Sequence, residues 1–320
     1  MKKANTWVWT WLAASLLLAL TAPGGRAAED APSVYPTAIL PFQERGHEVK
    51  GQGVKISDLL GAFLDADPQL YLLFREDLDK LLGEAEVNLS GMVDPNQAIK
   101  VGQLTGARIL VTGSVMQVGN KTYLVAKIIG TETSRVLGKS VKGDARADLD
   151  TLVEQLAERI TETIGEKANQ LIAPPVKPAD RIARLKEQLG DAKRPTVLVK
   201  IAERHVGQAT LDPAAQTEIT LLCRETGFQV VDPDSGREKD ADVIIHGEGF
   251  SEFAMRRGNL VSVKARLEIK AVDTKTDRVV ATDRQTAVVV DLTEQIAGKA
   301  ALQKAAAAIA GRVLPKIVGK

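Results

Sequence analysis

A single cysteine, Cys223, stands in the 320 residues of this chain. No internal disulfide is available, so stability has to come from packed cores. Cys223 lies in an apolar helical stretch, Thr220-Leu-Leu-Cys, and reads as a small buried hydrophobe rather than a nucleophile. Histidine is almost as scarce. His47 falls in a loop, His205 just after a strand and His246 within one, and none has a second His or Cys at metal-ligand spacing. No Gly-x-Ser-x-Gly surrounds Ser90 or Ser114, so the strained-turn context of a serine nucleophile is missing. Glu76, Asp77 and Asp79 crowd the first turn of one helix, where dipole and capping account for them, whereas a glycosidase needs carboxylates facing each other across a cleft. These absences nominate no catalytic, cofactor-binding or metal-binding residue, and the chain reads as a non-enzyme without a cofactor.

Charge of one sign is lacking too. Lys and Arg total 42 against 41 Asp and Glu, a net charge of +1. Without clustered basic residues there is no electrostatic reason to expect nucleic acid. Gly51-Gln-Gly53 precedes a helix like a phosphate-binding turn, but it has neither the third Gly nor a following Lys-Ser/Thr. It reads as a flexible loop, with a helix N-terminus behind it that is suited to an anion.

The one long apolar run is at the start. Lys2 and Lys3 precede Trp7 to Ala22, Pro23-Gly-Gly breaks the helix, and Gly25-Arg-Ala27 offers small residues for cleavage. Residues 1–27 therefore read as a cleaved signal peptide, the run being shorter than the roughly 20 residues of a spanning helix. No Cys stands at the cleavage point, which argues against lipidation. Cleavage removes Lys2, Lys3 and Arg26 and no acid, so the charge falls from +1 to −2. No later segment is apolar and long enough to span a bilayer.

The remainder carries one α+β pattern twice. Thr37-Ala-Ile-Leu-Pro-Phe42 and Thr196-Val-Leu-Val-Lys-Ile201 open the two copies as strands, each followed by a helix and a second strand. Pro41 suggests an edge position or the strand's end. Gly106-Ala-Arg-Ile-Leu-Val-Thr-Gly-Ser-Val115 and Asp240-Ala-Asp-Val-Ile-Ile-His-Gly-Glu-Gly249 then open three strands and a closing helix in each copy. Hairpin turns are expected at Gly119-Asn120, Glu132-Thr-Ser134 and Asp273–Asp277, and a basic tip at Met255-Arg-Arg257. Leu260 to Val272 alternates, so one face is packed and one faces water. Asp94 and Asp212 are expected N-caps, each followed by Pro at the first helical position. Ala173-Pro-Pro-Val-Lys-Pro178 and a short charged helix separate the copies. The expected organisation is a first domain over 36–172, a linker over 173–194 and a second domain over 195–320. Each domain is a mixed or antiparallel sheet packed by helices, the second a divergent copy of the first.

Tyr71-Leu-Leu-Phe-Arg-Glu-Asp-Leu-Asp-Lys-Leu-Leu-Gly-Glu, Ser90-Gly and Val101-Gly-Gln-Leu-Thr-Gly-Ala-Arg-Ile-Leu-Val-Thr-Gly-Ser-Val115 resemble the curli production assembly/transport (CsgG-like) family over roughly Pro36 to Leu171. Penicillin-binding-protein activators and flagellar assembly accessory proteins share that fold. The resemblance implies an envelope setting and subunits that can form rings. The motif residues Arg75, Asp77, Gly102, Gly106 and Gly113 are expected to be structural. This chain departs from the pore-forming members in lacking a lipidated Cys and in its tight hairpins. A barrel hairpin needs strands of about 9 to 11 residues with an outward apolar band.

The expected function is a periplasmic, unlipidated protein acting by protein–protein interaction in envelope assembly, secretion or regulation. Its partners would be envelope proteins or further copies of itself. Membrane association would be peripheral at most, and binding would use sheet edges or the Gln43–Gly53 loop. The rivals are an oligomeric outer-membrane channel component and a hydrolase with an unrecognised site.

Overall fold

Strand β1 (Tyr35–Ile39) lies inside a six-stranded sheet, between β3 (Leu70–Leu73) and β4 (Ile109–Val118), both parallel to it. Neighbours on both edges and helices over the faces explain why its sequence is apolar on both sides. Beyond β4 the sheet turns antiparallel through β5 (Lys121–Gly130) and β6 (Val136–Asp144). The computed structural model describes residues 34–73, 95–205, 208–209 and 212–318. The expected signal peptide, Arg75, Asp77, Ser90, Asp94 and the helix expected from Glu76 lie outside these.

Pro41 ends β1 and does not mark an edge. After the break, β2 (Gln43–Arg45) rejoins β4 in parallel. Ile39 and Gln43 are four positions apart, while their partners Val111 and Ser114 are three apart, so the chain gains one residue as in a bulge. The expected Gln43–Gly53 loop is thus a strand, a single 3-10 turn (His47–Val49) and the start of α1 (Gln52–Leu64). Helix α2 (Pro95–Thr105) covers one face of the sheet, and α1 and α3 (Leu149–Leu171) cover the other. On α3, Leu152, Val153, Leu156, Ile160 and Ile164 are buried, each contributing about 1.5–3 kcal/mol by leaving water.

After α4 (Pro178–Leu189) the arrangement repeats. Strand β7 (Val197–His205) is flanked in parallel by β9 (Val230–Val231) and β10 (Val243–Arg257). The sheet continues antiparallel through β11 (Leu260–Asp273) and β12 (Arg278–Asp291). A two-residue strand β8 (Gln208–Ala209) folds back on β7. Helices α5 (Ala214–Glu225) and α6 (Glu294–Val318) take the places of α1 and α3. The strand order is the same in both halves, so the second is a divergent copy of the first. Here β7 runs unbroken where Pro41 splits its counterpart.

The copying extends to turns and single hydrogen bonds. The β4–β5 and β10–β11 hairpins both close over Gly-Asn. Gly119 and Gly258 have φ of 58° and 52°, as a type II′ turn requires at its first central position. In the next turn of each half, a Thr side chain braces the start of the parallel strand two places away. The Thr131 hydroxyl donates to the Ala107 carbonyl (2.8 Å), and that of Thr274 donates to the Ala241 carbonyl (2.6 Å). The same turns carry an ion pair of reversed sign, Arg108–Glu132 at 2.9 Å and Lys275–Asp242 at 3.0 Å.

The halves meet face to tip. Met255 and Leu260 near the β10–β11 turn, with Val290 on β12, join Leu40, Tyr71, Leu110 and Ile129 on the α2 side of the first sheet. Met255 is 7% exposed. The expected solvated basic tip is therefore half packing residue, because the hairpin is long enough to reach the first half's apolar face. Val34–Lys320 form one compact unit.

Candidate interaction surfaces

Among the described residues singled out from sequence, the glycines stand where backbone or close packing requires them. Gly106 has φ +78°, ends α2 in the left-handed region, and lets its N–H donate to the Gly102 carbonyl (2.8 Å). A Cβ there would come within 2.6 Å of Val288, where the second half touches the first. Gly102 and Gly113 face Thr131 and the Phe42 ring at similarly close range. Cys223 is buried, and burial pushes its thiol up to about 12. His47 sits in the 3-10 turn, and His246 lies in register with Lys200 and Lys270. Among the described residues no group of three His, Cys, Asp or Glu side chains is placed to hold a metal.

The helix N-terminus behind Gly51-Gln-Gly53 is taken by the protein itself. Glu44 on β2 accepts from the Gly53 N–H at 2.8 Å. That bond, with one from Gly51, holds its carboxyl below the usual range. A Cβ at Gly53 would strike the Phe42 carbonyl at 2.1 Å, so only glycine permits the approach. In the second half Glu203 on β7 does the same for α5, accepting from Ala214, Ala215 and Gln216 at 2.8–2.9 Å. Asp212, expected as that N-cap, pairs instead with Lys299, and the N-cap residue is Pro213 with no side-chain bond.

One constellation was not visible in sequence. Ser251 Oγ lies 2.7 Å from His205 Nδ1, and His205 Nε2 lies 3.9 Å from Glu294 Oε1. Serine, imidazole and carboxylate in a row suit acyl transfer in principle. Ser251 is 2% exposed, however, and Gly298 of α6 lies against both side chains. The arrangement works as a brace tying β7 and β10 to the start of α6.

Among the described residues, two concave surfaces stand out. A cleft of about 290 Å³ follows the seam between the halves, with Arg108, Glu132 and Lys304 on its walls. The Arg108 guanidinium is already engaged by Glu132 and by the Ala173 carbonyl (2.9 Å). A larger groove, about 620 Å³, lies between the C-terminal end of α1 and the outer side of α3. Phe63, Ala66, Pro68 and Ala157 contribute apolar lining, Asp67, Glu154 and Glu158 contribute charge, and no cation lines it. Gly165 opens onto it, with nothing within 4 Å of where its Cβ would be. Glycine inside a helix costs about 1 kcal/mol relative to alanine, and no packing within the fold requires it here. Just past Gly165 the helix kinks at Lys167 (φ −124°, ψ 19°). The volume is within the range of ligand-binding clefts.

Residues 40–152 match the family model described as Curli production assembly/transport component CsgG. The family resemblance carried by Tyr71 to Val115 thus holds for that part of the chain. Solved structures are similar to part of the chain. The LpoB C-terminal domain from Salmonella enterica is 12% identical, covering 37% of this chain and 87% of that one, at TM-score 0.31. Lipoprotein GNA1162 from Neisseria meningitidis is 13% identical, covering 41% and 99%, at TM-score 0.29. The PelC dodecamer from Paraburkholderia phytofirmans is 11% identical, covering 40% and 86%, at TM-score 0.26. Among curated proteins none matches. Among the described residues no helix is long and apolar enough to cross a membrane.

Proposed function

We propose that this chain is a non-enzymatic cell-envelope protein that binds other proteins in envelope assembly, secretion or regulation. The observation that carries the reading is the open groove between α1 and α3, a shaped surface with apolar lining and charge that no part of the fold needs open. The match of residues 40–152 to a family described as an assembly/transport component supports the setting. On this reading residues 1–27 direct export and are removed, and the mature chain is periplasmic and unlipidated. It is organised as 36–172 and 195–320 about the linker 173–194. The β4–β5 hairpin pairs along its whole length inside the sheet and closes over two residues, leaving no extension to line a membrane barrel.

Light scattering of residues 28–320 without detergent, followed by cross-linking in envelope extracts, tests the proposal. A small water-soluble species that captures an envelope protein saturably supports it. A large ring, or material soluble only in detergent, moves the channel reading ahead. Turnover of ester, phosphate or glycoside substrates by the purified protein would replace it with an enzyme.

A further inference from the structure

The duplication shows what fills this kind of groove. The buried face of α3 (Leu152, Val153, Leu156, Ala157, Ile160, Ile164) superposes in sequence on that of α6 (Ala297, Gly298, Ala301, Leu302, Ala305, Ile309) with one constant offset. By that offset the groove positions Thr161 and Gly165 correspond to Ala306 and Ala310. In the second half these are 0% and 1% exposed, whereas Thr161 is half-buried and Gly165 exposed. The difference is an extra helix. α4 packs against α6, the counterpart of α3, and reaches α5, the counterpart of α1, through Arg181 and Glu218, with Leu185 and Leu189 buried in the second half's core and Ile182 packed against it.

The polar side of that contact is also informative. Arg181 of α4 reaches Glu218 on α5 at 3.2 Å, and Gln303, the counterpart of Glu158, donates to the same carboxylate at 2.9 Å. α4 is amphipathic, with Ile182, Leu185 and Leu189 at i, i+3 and i+7 beside Arg181, Arg184 and Lys186. Among the described residues no helix packs on α1 and α3 in this way. The groove there keeps its apolar lining and presents Glu154 and Glu158, neither in an ion pair among the described residues.

We infer that the α1–α3 groove receives an amphipathic helix of a partner protein. Its apolar residues at i, i+3 and i+7 seat against Phe63, Ala157 and Gly165, and its Lys or Arg side chains face Asp67, Glu154 and Glu158. This is helix-in-groove recognition with complementary charge. It rests on the protein-binding reading above and adds the site and the chemistry of the partner.

The test uses the mature chain and a fluorescent 18-residue Leu/Lys peptide with leucines at helical spacing, against its Leu/Glu twin. Saturable binding of the Lys peptide, absent for the Glu twin and weakened by salt, is the expected result. The double variant Glu154→Lys/Glu158→Lys should weaken binding about tenfold or more. Gly165→Leu should abolish it with thermal stability kept, since the site is open and leucine is the better helix former. Equal binding of both peptides, or affinity unchanged in both variants, overturns the inference. So does a dimer of the mature chain that the same variants dissociate, because the occupant would then be a second copy. If cross-linking captures an envelope partner from wild type and both variants alike, the protein-binding reading stands and this site falls.

Discussion

Glu44 and Glu203 hold the same place in the two halves, each paired with the same position of its parallel neighbour (Val115 and Gly249) and each capping the helix that follows. The two devices differ in burial. Glu44 is solvent-exposed, whereas Glu203 is 5% exposed. Burial dominates at Glu203 and raises its pKa despite the three N–H groups from Gln216, Ala214 and Ala215 that favour the anion.

Glu203→Ala should therefore destabilise the protein by about 2 kcal/mol, as three helix N–H groups lose their acceptor. Glu203→Gln should cost less, since it keeps an oxygen without burying a charge. The sign with pH follows from the raised pKa. The wild type's stabilisation from protonating this group is complete below the unfolded value and is lost as pH rises through the folded value. The cost of Glu203→Gln relative to wild type should thus shrink from pH 4 to pH 8 in urea denaturation. A constant difference across that range would contradict a buried charge.

The Thr131 and Thr274 hydroxyls make matching bonds, and both residues sit at the first position of their turns. Thr131→Val and Thr274→Val should each cost about 1 kcal/mol, the net value of one hydrogen bond. The double variant should cost their sum, because the two turns share no partner. Chemical denaturation of the three variants checks this.

Much of this architecture was legible in the sequence. Leu260 to Val272 alternates because one face of β11 is buried, and the opening strands expected at 37–42 and 196–201 coincide with β1 and β7 to within a few residues. What was not legible depends on distant parts of the chain. Asp212 carries a capping signal, but Glu203 reaches the helix first from a strand eleven residues away from Ala214. Met255 reads as part of a basic turn until the length of its hairpin brings it to another sheet. The α1–α3 groove has no sequence signature at all. It is recognised only because the duplicate of the same helix pair is covered.

Cys223 gives a simple probe of native packing. With its thiol pushed up to about 12 by burial, almost no thiolate exists at pH 8 and access is closed. Ellman's reagent should show no reaction in buffer and one thiol per chain in denaturant. Prompt labelling of the native protein would mean that the α5 core opens readily.

The Ser251–His205–Glu294 row distinguishes a brace from a catalytic site. A brace predicts that Ser251→Ala lowers stability by about 1 kcal/mol through the lost contact with His205. It also predicts that wild type and variant are equally inactive on activated esters. A nucleophile predicts the reverse, with stability nearly unchanged and a wild-type turnover that the variant abolishes. The burial of Ser251 and the closeness of Gly298 favour the first outcome: a substrate carbonyl would need to displace α6 to reach the oxygen, and α6 carries much of the second half's core.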